Sequence, residues 1–211
     1  MSVVVPAHGD PPPAKAIAAA VKALENGDIV GIPTDTVYGL AADPWHSGAS
    51  DRLFLLKGRP RAVELPLFVA DVAQSLSLVT AVPASARRLM ERFWPGALTI
   101  VLPRREEVEA DLGEDDATIG LRCPDHPVAR ALCDAIGPFA ATSANRHGEP
   151  VVTTAAVLAA TLPGVSLVLD GGSCTGPAST VVDATGELPR LLRPGAVDWE
   201  LIAAAAAGDE P

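Results

Sequence analysis

Asn26-Gly27-Asp28-Ile29-Val30-Gly31-Ile32-Pro33-Thr34-Asp35-Thr36-Val37-Tyr38-Gly39-Leu40 holds a helix stop, a buried strand and a polar loop in one run. Asn-Gly closes a helix through a left-handed residue. The preceding residues 14–25 put Ile17, Val21 and Leu24 on one helical face. Residues 28–33 read as a short buried strand, apolar over Ile29-Val30-Gly31-Ile32 and stopped by Pro33. Two threonines and an aspartate follow it. Open α/β sheets are built from such units, and they take ligands where strands give way to loops.

The same alternation runs outward in both directions. Residues 50–57 read as a helix, with Leu53, Phe54 and Leu56 apolar, Asp51 near the start and Gly58 at the stop. A strand is expected at 67–69, then helical stretches at 72–78 and 84–93, a break at Trp94-Pro95-Gly96 and a strand at 97–102. Residues 106–116 are acidic and irregular, a solvated loop. A strand at 118–122, a helix at 126–135, a strand at 139–141, a helix at 153–160 and a strand at 166–169 follow. Residues 180–183 and 190–192 look like a strand pair, and 197–207 a closing helix. The class is α/β. Several strands connect too briefly for a crossover, so the sheet is mixed. No linker or repeat marks a second domain. The expectation is an arm over residues 1–13 ended by Pro11-Pro12-Pro13, one domain over 14–207, and a frayed tail at 208–211.

The chain has 211 residues, 48% of them hydrophobic and only 4% aromatic, so its core must be aliphatic. The formal net charge of −10 argues against a general nucleic-acid coat, which needs a basic face. A small cationic pocket is still compatible with an acidic protein. Cys123, Cys133 and Cys174 are sparse and unpaired in spacing, which favours a reduced, cytoplasmic protein. No leader-like segment opens the chain, and no apolar run is long enough to span a membrane.

Three polar motifs carry the chemistry. Thr34-Asp35-Thr36 offers hydroxyls and freed amides at a strand end. A turn capped by its own side chains explains it equally well. Tyr38, the single tyrosine, is either a buried phenol with a satisfied hydroxyl or a pocket wall. Lys57-Gly58-Arg59-Pro60-Arg61 gathers three cations around a helix stop. Offsetting the helix dipole accounts for Lys57, but a phosphate clamp better accounts for all three. Ser143-Ala144-Asn145 puts small and polar residues after a strand, too far from the next helix to be its cap. Arg122 and Arg193 end strands and suit a carboxylate or phosphate fork, or a surface ion pair. His126 is placed to cap a helix. The four histidines show no metal spacing, and there is no P-loop, no GxGxxG and no GxSxG elbow.

In order along the chain, Gly31-Ile32-Pro33-Thr34-Asp35-Thr36-Val37-Tyr38-Gly39-Leu40, Lys57-Gly58-Arg59-Pro60, Trp94-Pro95-Gly96-Ala97-Leu98-Thr99, Ile119-Gly120-Leu121-Arg122-Cys123-Pro124, Ser143-Ala144-Asn145, Asp170-Gly171-Gly172, Ser179-Thr180-Val181 and Leu192-Arg193-Pro194-Gly195 resemble the YrdC-like family of L-threonylcarbamoyladenylate synthases. The resemblance covers about residues 14–197 and corresponds to the short form, without the extra C-terminal domain of longer members. It implies an open, twisted sheet with a concave, cationic cleft. It also implies condensation of L-threonine, bicarbonate and ATP into threonylcarbamoyl-AMP and pyrophosphate. The product would serve a separate tRNA threonylcarbamoyl transferase complex, with tRNA contact by this chain left open.

On this resemblance Arg122 would hold the threonine carboxylate, helped by Thr34, the Ala141 backbone and Ser179. Lys57 and Arg59 would neutralise phosphates and the carbamate, as the catalytic cations. Thr118, Ser143, Asn145, the Val151 backbone and Arg193 would complete the ATP site. Mg²⁺ would ride on the triphosphate, with no metal ligand from the protein. Two departures stand out. Arg61-Ala62-Val63-Glu64 lengthens the link after Pro60, and Ala70 stands where the family often has a histidine, so the amino-acid specificity is open. The rival readings are a non-catalytic module that binds double-stranded RNA or tRNA, and a paralogue acting on a different carbamoyl substrate.

Overall fold

The computed structural model describes residues 2–208. Among these, ten strands form one mixed sheet and seven helices flank it. In chain order the strands are β1 (Val3–Pro6), β2 (Ile29–Ile32), β3 (Gly39–Ala42), β4 (Leu67–Phe68), β5 (Leu98–Pro103), β6 (Thr118–Arg122), β7 (Phe139–Ser143), β8 (Val165–Asp170), β9 (Thr180–Asp183) and β10 (Arg190–Arg193). The helices are α1 (Ala14–Glu25), α2 (Ala49–Lys57), α3 (Val72–Leu76), α4 (Ala84–Phe93), α5 (Pro127–Ile136), α6 (Ala155–Thr161) and α7 (Trp199–Ala207). Across the sheet the order is β1-β8-β2-β3-β7-β4-β6-β5-β9-β10. Parallel pairs (β1 with β8, β2 with β8, β4 with β6, β5 with β9) mix with antiparallel ones, as the short connections require.

Two strands were not anticipated. Residues 3–6, expected as part of an arm, pair in parallel with β8 as an edge strand. Gly39–Ala42, hidden inside the polar motif, forms β3 between β2 and β7. The expected fraying at 208–211 falls, beyond residue 208, outside the described residues.

Alternation along the strands divides the core between two faces. On one face Ala16, Ile17, Ala20 and Leu24 of α1 and Val128, Ala129, Leu132 and Cys133 of α5 cover Val30, Ile32, Ala41, Phe139, Ala141 and Leu169. On the other, α2, α4, α6 and α7 cover Leu40, Leu98, Ile100, Leu102, Ile119, Leu121, Val168 and Val182. The α1–α5 layer stops short of β6, β5 and β9. Their alternate residues Thr99, Val101, Thr118, Gly120, Arg122 and Val181 therefore have no helix over them, and they floor an open cleft. The fold thus builds its site from a half-covered sheet face.

His126 caps α5 as expected, its Nδ1 accepting from the Val128 N–H at 3.2 Å, and burial lowers its pKa. All three cysteines are free and buried, and burial pushes the Cys123 thiol up to about 11. No helix among the described residues is long and apolar enough to cross a membrane.

Candidate active-site cleft

The cleft encloses about 510 Å³, within the usual range for small-molecule sites. Three loops close over its sheet floor: residues 33–38 after β2, 59–66 after α2, and the turn into Ser179. Eight of the expected site residues line it: Thr34, Arg59, Thr118, Arg122, Ala141, Ser143, Ser179 and Arg193. Lys57, Asn145 and Val151 do not.

Arg122 leaves the end of β6 almost fully buried, 4% exposed. Its NH2 group donates to Asp35 Oδ1 at 2.6 Å, NH1 to Thr36 Oγ1 at 3.2 Å and Nε to the Gly96 carbonyl at 3.0 Å. Its guanidinium lies 5.5 Å from the centre of the Phe68 ring. Burial lowers its pKa, and Asp35 works against that. The fork is locked in place. Five guanidinium N–H groups less three bonds leave two for a ligand.

Gly58, with φ at +60°, closes α2 in the left-handed region and turns the chain so that Arg59 faces the cleft while Lys57 does not. Arg59 donates from Nε to the Val63 carbonyl at 2.5 Å, from NH2 to the Glu64 carbonyl at 2.6 Å, and from NH1 to Thr142 Oγ1 at 3.4 Å. The lengthened link thus wraps its own arginine. Arg61 faces away from the cleft. It pairs with Asp51 and Asp111 and stacks on Phe54, which anchors the link. Arg193, from the edge strand β10, donates through NH2 to Ser179 O at 2.8 Å and Ser179 Oγ at 3.1 Å. Burial lowers the pKa of both, first of all. Repulsion from Arg193 adds to this at Arg59, and repulsion from Arg122 at Arg193. Three guanidinium groups therefore feel one another across the cleft. Glu64 and Asp115 also stand on its wall, so the lining is not purely cationic.

Lys57 departs from its expected place among the phosphate cations. It is 2% exposed, and its Nζ donates to Ser143 O at 2.6 Å, Asn145 O at 2.8 Å and Asn145 Oδ1 at 3.0 Å. Three donors meet three acceptors, which leaves the ammonium nothing for a ligand. The Lys57 carbonyl in turn accepts from the His147 N–H at 2.7 Å. Lys57 is a clip on the Ser143-Ala144-Asn145 loop. Burial and the Arg59 charge bring its pKa down to about 8. Within that loop Ser143 Oγ donates to Asn145 Oδ1 at 2.6 Å, and Asn145 Nδ2 donates to the Glu149 carbonyl at 2.6 Å. Asn145 thus orients Ser143 from outside the cleft. Val151 is exposed beyond this loop.

Thr34 has spent its proton on the Val37 carbonyl at 2.6 Å, and its oxygen accepts from the Thr36 and Val37 N–H groups. The self-capped turn is therefore real, and it also lines the cleft. Tyr38 is fully buried, its hydroxyl donating to the Gly172 carbonyl at 2.8 Å, so it braces the cleft rather than walling it. Thr118 donates to Asp115 Oδ2 at 2.6 Å. Sequence reasoning offered Thr36 within its threonine motif but passed over Thr99, Thr142, Glu64 and Asp115 as lining residues. For Thr99, alternation was the available signal: a polar residue between Leu98 and Ile100, in phase with an uncovered face.

A family model named for Sua5, yciO and yrdC, and described as "Telomere recombination", matches residues 22–195. The chain belongs to the Sua5/YciO/YrdC family. Among curated relatives in that family, a putative threonylcarbamoyl-AMP synthase of Mycobacterium tuberculosis is 41% identical over 90% of this chain and 88% of its own. Threonylcarbamoyl-AMP synthase of Bacillus subtilis is 40% identical over 89% of this chain and 56% of its own. The structure of P. abyssi Sua5 complexed with L-threonine superposes with a TM-score of 0.90 at 35% identity, over 99% of this chain and 62% of that one. The chain thus spans little more than half the length of the longer family members.

Proposed function

We propose that this chain is a threonylcarbamoyl-AMP synthase, a nucleotidyltransferase that condenses L-threonine, bicarbonate and ATP and releases pyrophosphate and water. The observation that carries the reading is the convergence of Arg59, Arg122 and Arg193 on one cleft, in a fold whose 41%-identical relative bears that name. The threonine nitrogen adds to carbon dioxide drawn from bicarbonate, giving a carbamate. A carbamate oxygen then attacks the α-phosphorus, and the bond to pyrophosphate breaks. Both steps bring anions together, so positioning and charge neutralisation are the main demands.

Arg122, pre-locked by Asp35 and Thr36, takes the threonine carboxylate with its two free N–H groups. Thr34, the Ala141 backbone and Ser179 border the amino acid. Arg59 serves the carbamate and phosphates, and is the catalytic cation. Arg193, Thr118 and Ser143 hold the nucleotide, with the Val151 backbone at the outer end. Lys57 and Asn145 act one step back, by holding Ser143. Mg²⁺ enters on the triphosphate. It is held mainly through phosphate oxygens and water, as Mg²⁺ on nucleotides usually is. Residues 14–207 form the catalytic domain. The enzyme works in the cytoplasm, its mixed anhydride consumed by a tRNA threonylcarbamoyl transferase complex.

The test is pyrophosphate release from ATP, Mg²⁺ and bicarbonate with each amino acid in turn. Release that needs both L-threonine and bicarbonate supports the reading. Release with another amino acid moves the weight to a paralogue, and none at all, from a folded protein that binds ATP, overturns catalysis.

A further inference from the structure

Thr99 stands on the cleft floor, 4% exposed, and has no part in the roles given above. Its neighbours Leu98 and Ile100 point into the core, so strand alternation aims its side chain at the cleft. Thr99 Oγ1 lies 3.0 Å from Ser179 Oγ, and Ser179 Oγ also receives an N–H from Arg193 at 3.1 Å. Two hydroxyls carry two protons. One is shared between them, and among the described residues the other has no acceptor. A guanidinium can only donate, so Arg193 fills one of the two acceptor positions on the Ser179 oxygen, and either hydroxyl can supply the shared proton. With Ser179 as that donor, the Thr99 proton is the one free for a ligand.

Its position suggests what it reads. β5 and β6 run antiparallel with Ile100 opposite Leu121, so Thr99 and Arg122 are the next residues along, side by side on the cleft floor. Gly120, Pro66 and Phe68 supply apolar surface nearby. We propose that Thr99 is a specificity-determining residue, whose hydroxyl donates to the side-chain hydroxyl of the amino acid anchored on Arg122. This rests on the synthase reading. Valine has the shape of threonine but no such oxygen, and it would leave a donor unpaired in a buried site. Sites built around a hydrogen bond reject such analogues strongly.

The test compares kcat/KM for L-threonine and L-valine, by pyrophosphate release, in the full chain and in Thr99→Val and Thr99→Ser. Thr99→Val should cut the threonine-over-valine ratio by about tenfold or more, while the KM for ATP is unchanged. Thr99→Ser should restore the ratio. A structural role would lower both substrates alike, so an unchanged ratio in Thr99→Val overturns the proposal, whatever happens to the rate. Should the wild-type chain release no pyrophosphate with any amino acid, the synthase reading fails separately. The same ratio is then read as calorimetric affinity for the two amino acids, and equal ratios in wild type and Thr99→Val again overturn the proposal.

Discussion

Replacing Lys57 with methionine should barely unfold the protein and yet nearly abolish its activity. The ammonium holds three oxygens of the Ser143–Asn145 loop. Leaving them unpaired costs roughly 1–3 kcal/mol each at most, less where water enters. Against this, Lys57 is charged at a site that lowers its pKa from 10.5 to about 8. That shift corresponds to about 3 kcal/mol of desolvation and repulsion, which methionine removes. At the low end of that range, where water reaches the loop, the three oxygens cost about 3 kcal/mol and the terms nearly offset, so the net loss should be about 0–2 kcal/mol. Ser143 loses its support, so kcat/KM should fall on the order of a hundredfold, the scale of one misplaced transition-state donor. The decisive assay is hydrogen exchange without any ligand. The amide protons of Asn145, His147 and Glu149, all bonded within or onto this loop, should exchange faster in Lys57→Met. A variant that loses ATP affinity while those protons keep wild-type protection would refute the clip and return Lys57 to the phosphates.

The same Lys57 shift sets a pH dependence. Between pH 8 and 10.5 the unfolded chain keeps a proton that the folded chain has lost, so stability rises with pH through that window, and denaturant melts should show the slope vanish in Lys57→Met. Asp35→Asn leaves the buried Arg122 without its counter-charge. It should cost about 3–5 kcal/mol by chemical denaturation and raise the KM for L-threonine more than that for ATP. Gly195 sits so close to Ala178 O, Ser179 C and Thr180 N that a Cβ would collide with backbone on all three. Gly195→Ala should therefore lower stability by roughly 1–3 kcal/mol and raise the KM for ATP through Arg193, where a surface Gly186→Ala, with nothing near it, should do neither.

Much of this architecture could be read from the chain because two periodicities rarely conflict in it. α1, α2, α4 and α5 appear within a residue or so of their expected bounds, as their apolar faces and glycine stops required. β3 escaped because Gly39–Ala42 is short, small-residued and fused to the Thr34–Tyr38 turn, with no punctuation between them. β1 escaped because an edge strand with exposed Val3 and Val4 has neither polar alternation nor burial to announce it. Within the site, strand-end arginines were legible, since a guanidinium on a strand is costly unless it has a partner. The division of labour between Lys57 and Arg59 was not. They are two residues apart, and only the left-handed turn at Gly58 sends one into the protein and the other into the cleft. Asp35 as the lock on Arg122 is a contact across 87 residues of sequence, beyond any local pattern.

The proposed reaction joins an amino acid, bicarbonate and ATP in one cleft. Carbon-13 bicarbonate, L-threonine and MgATP incubated with the chain, followed by mass spectrometry of the nucleotide products, tests it directly. The expected product is threonylcarbamoyl-AMP carrying the label, absent when bicarbonate or threonine is withheld and absent with Arg59→Ala. An unlabelled aminoacyl adenylate, or no new nucleotide from folded protein that binds ATP, would contradict it.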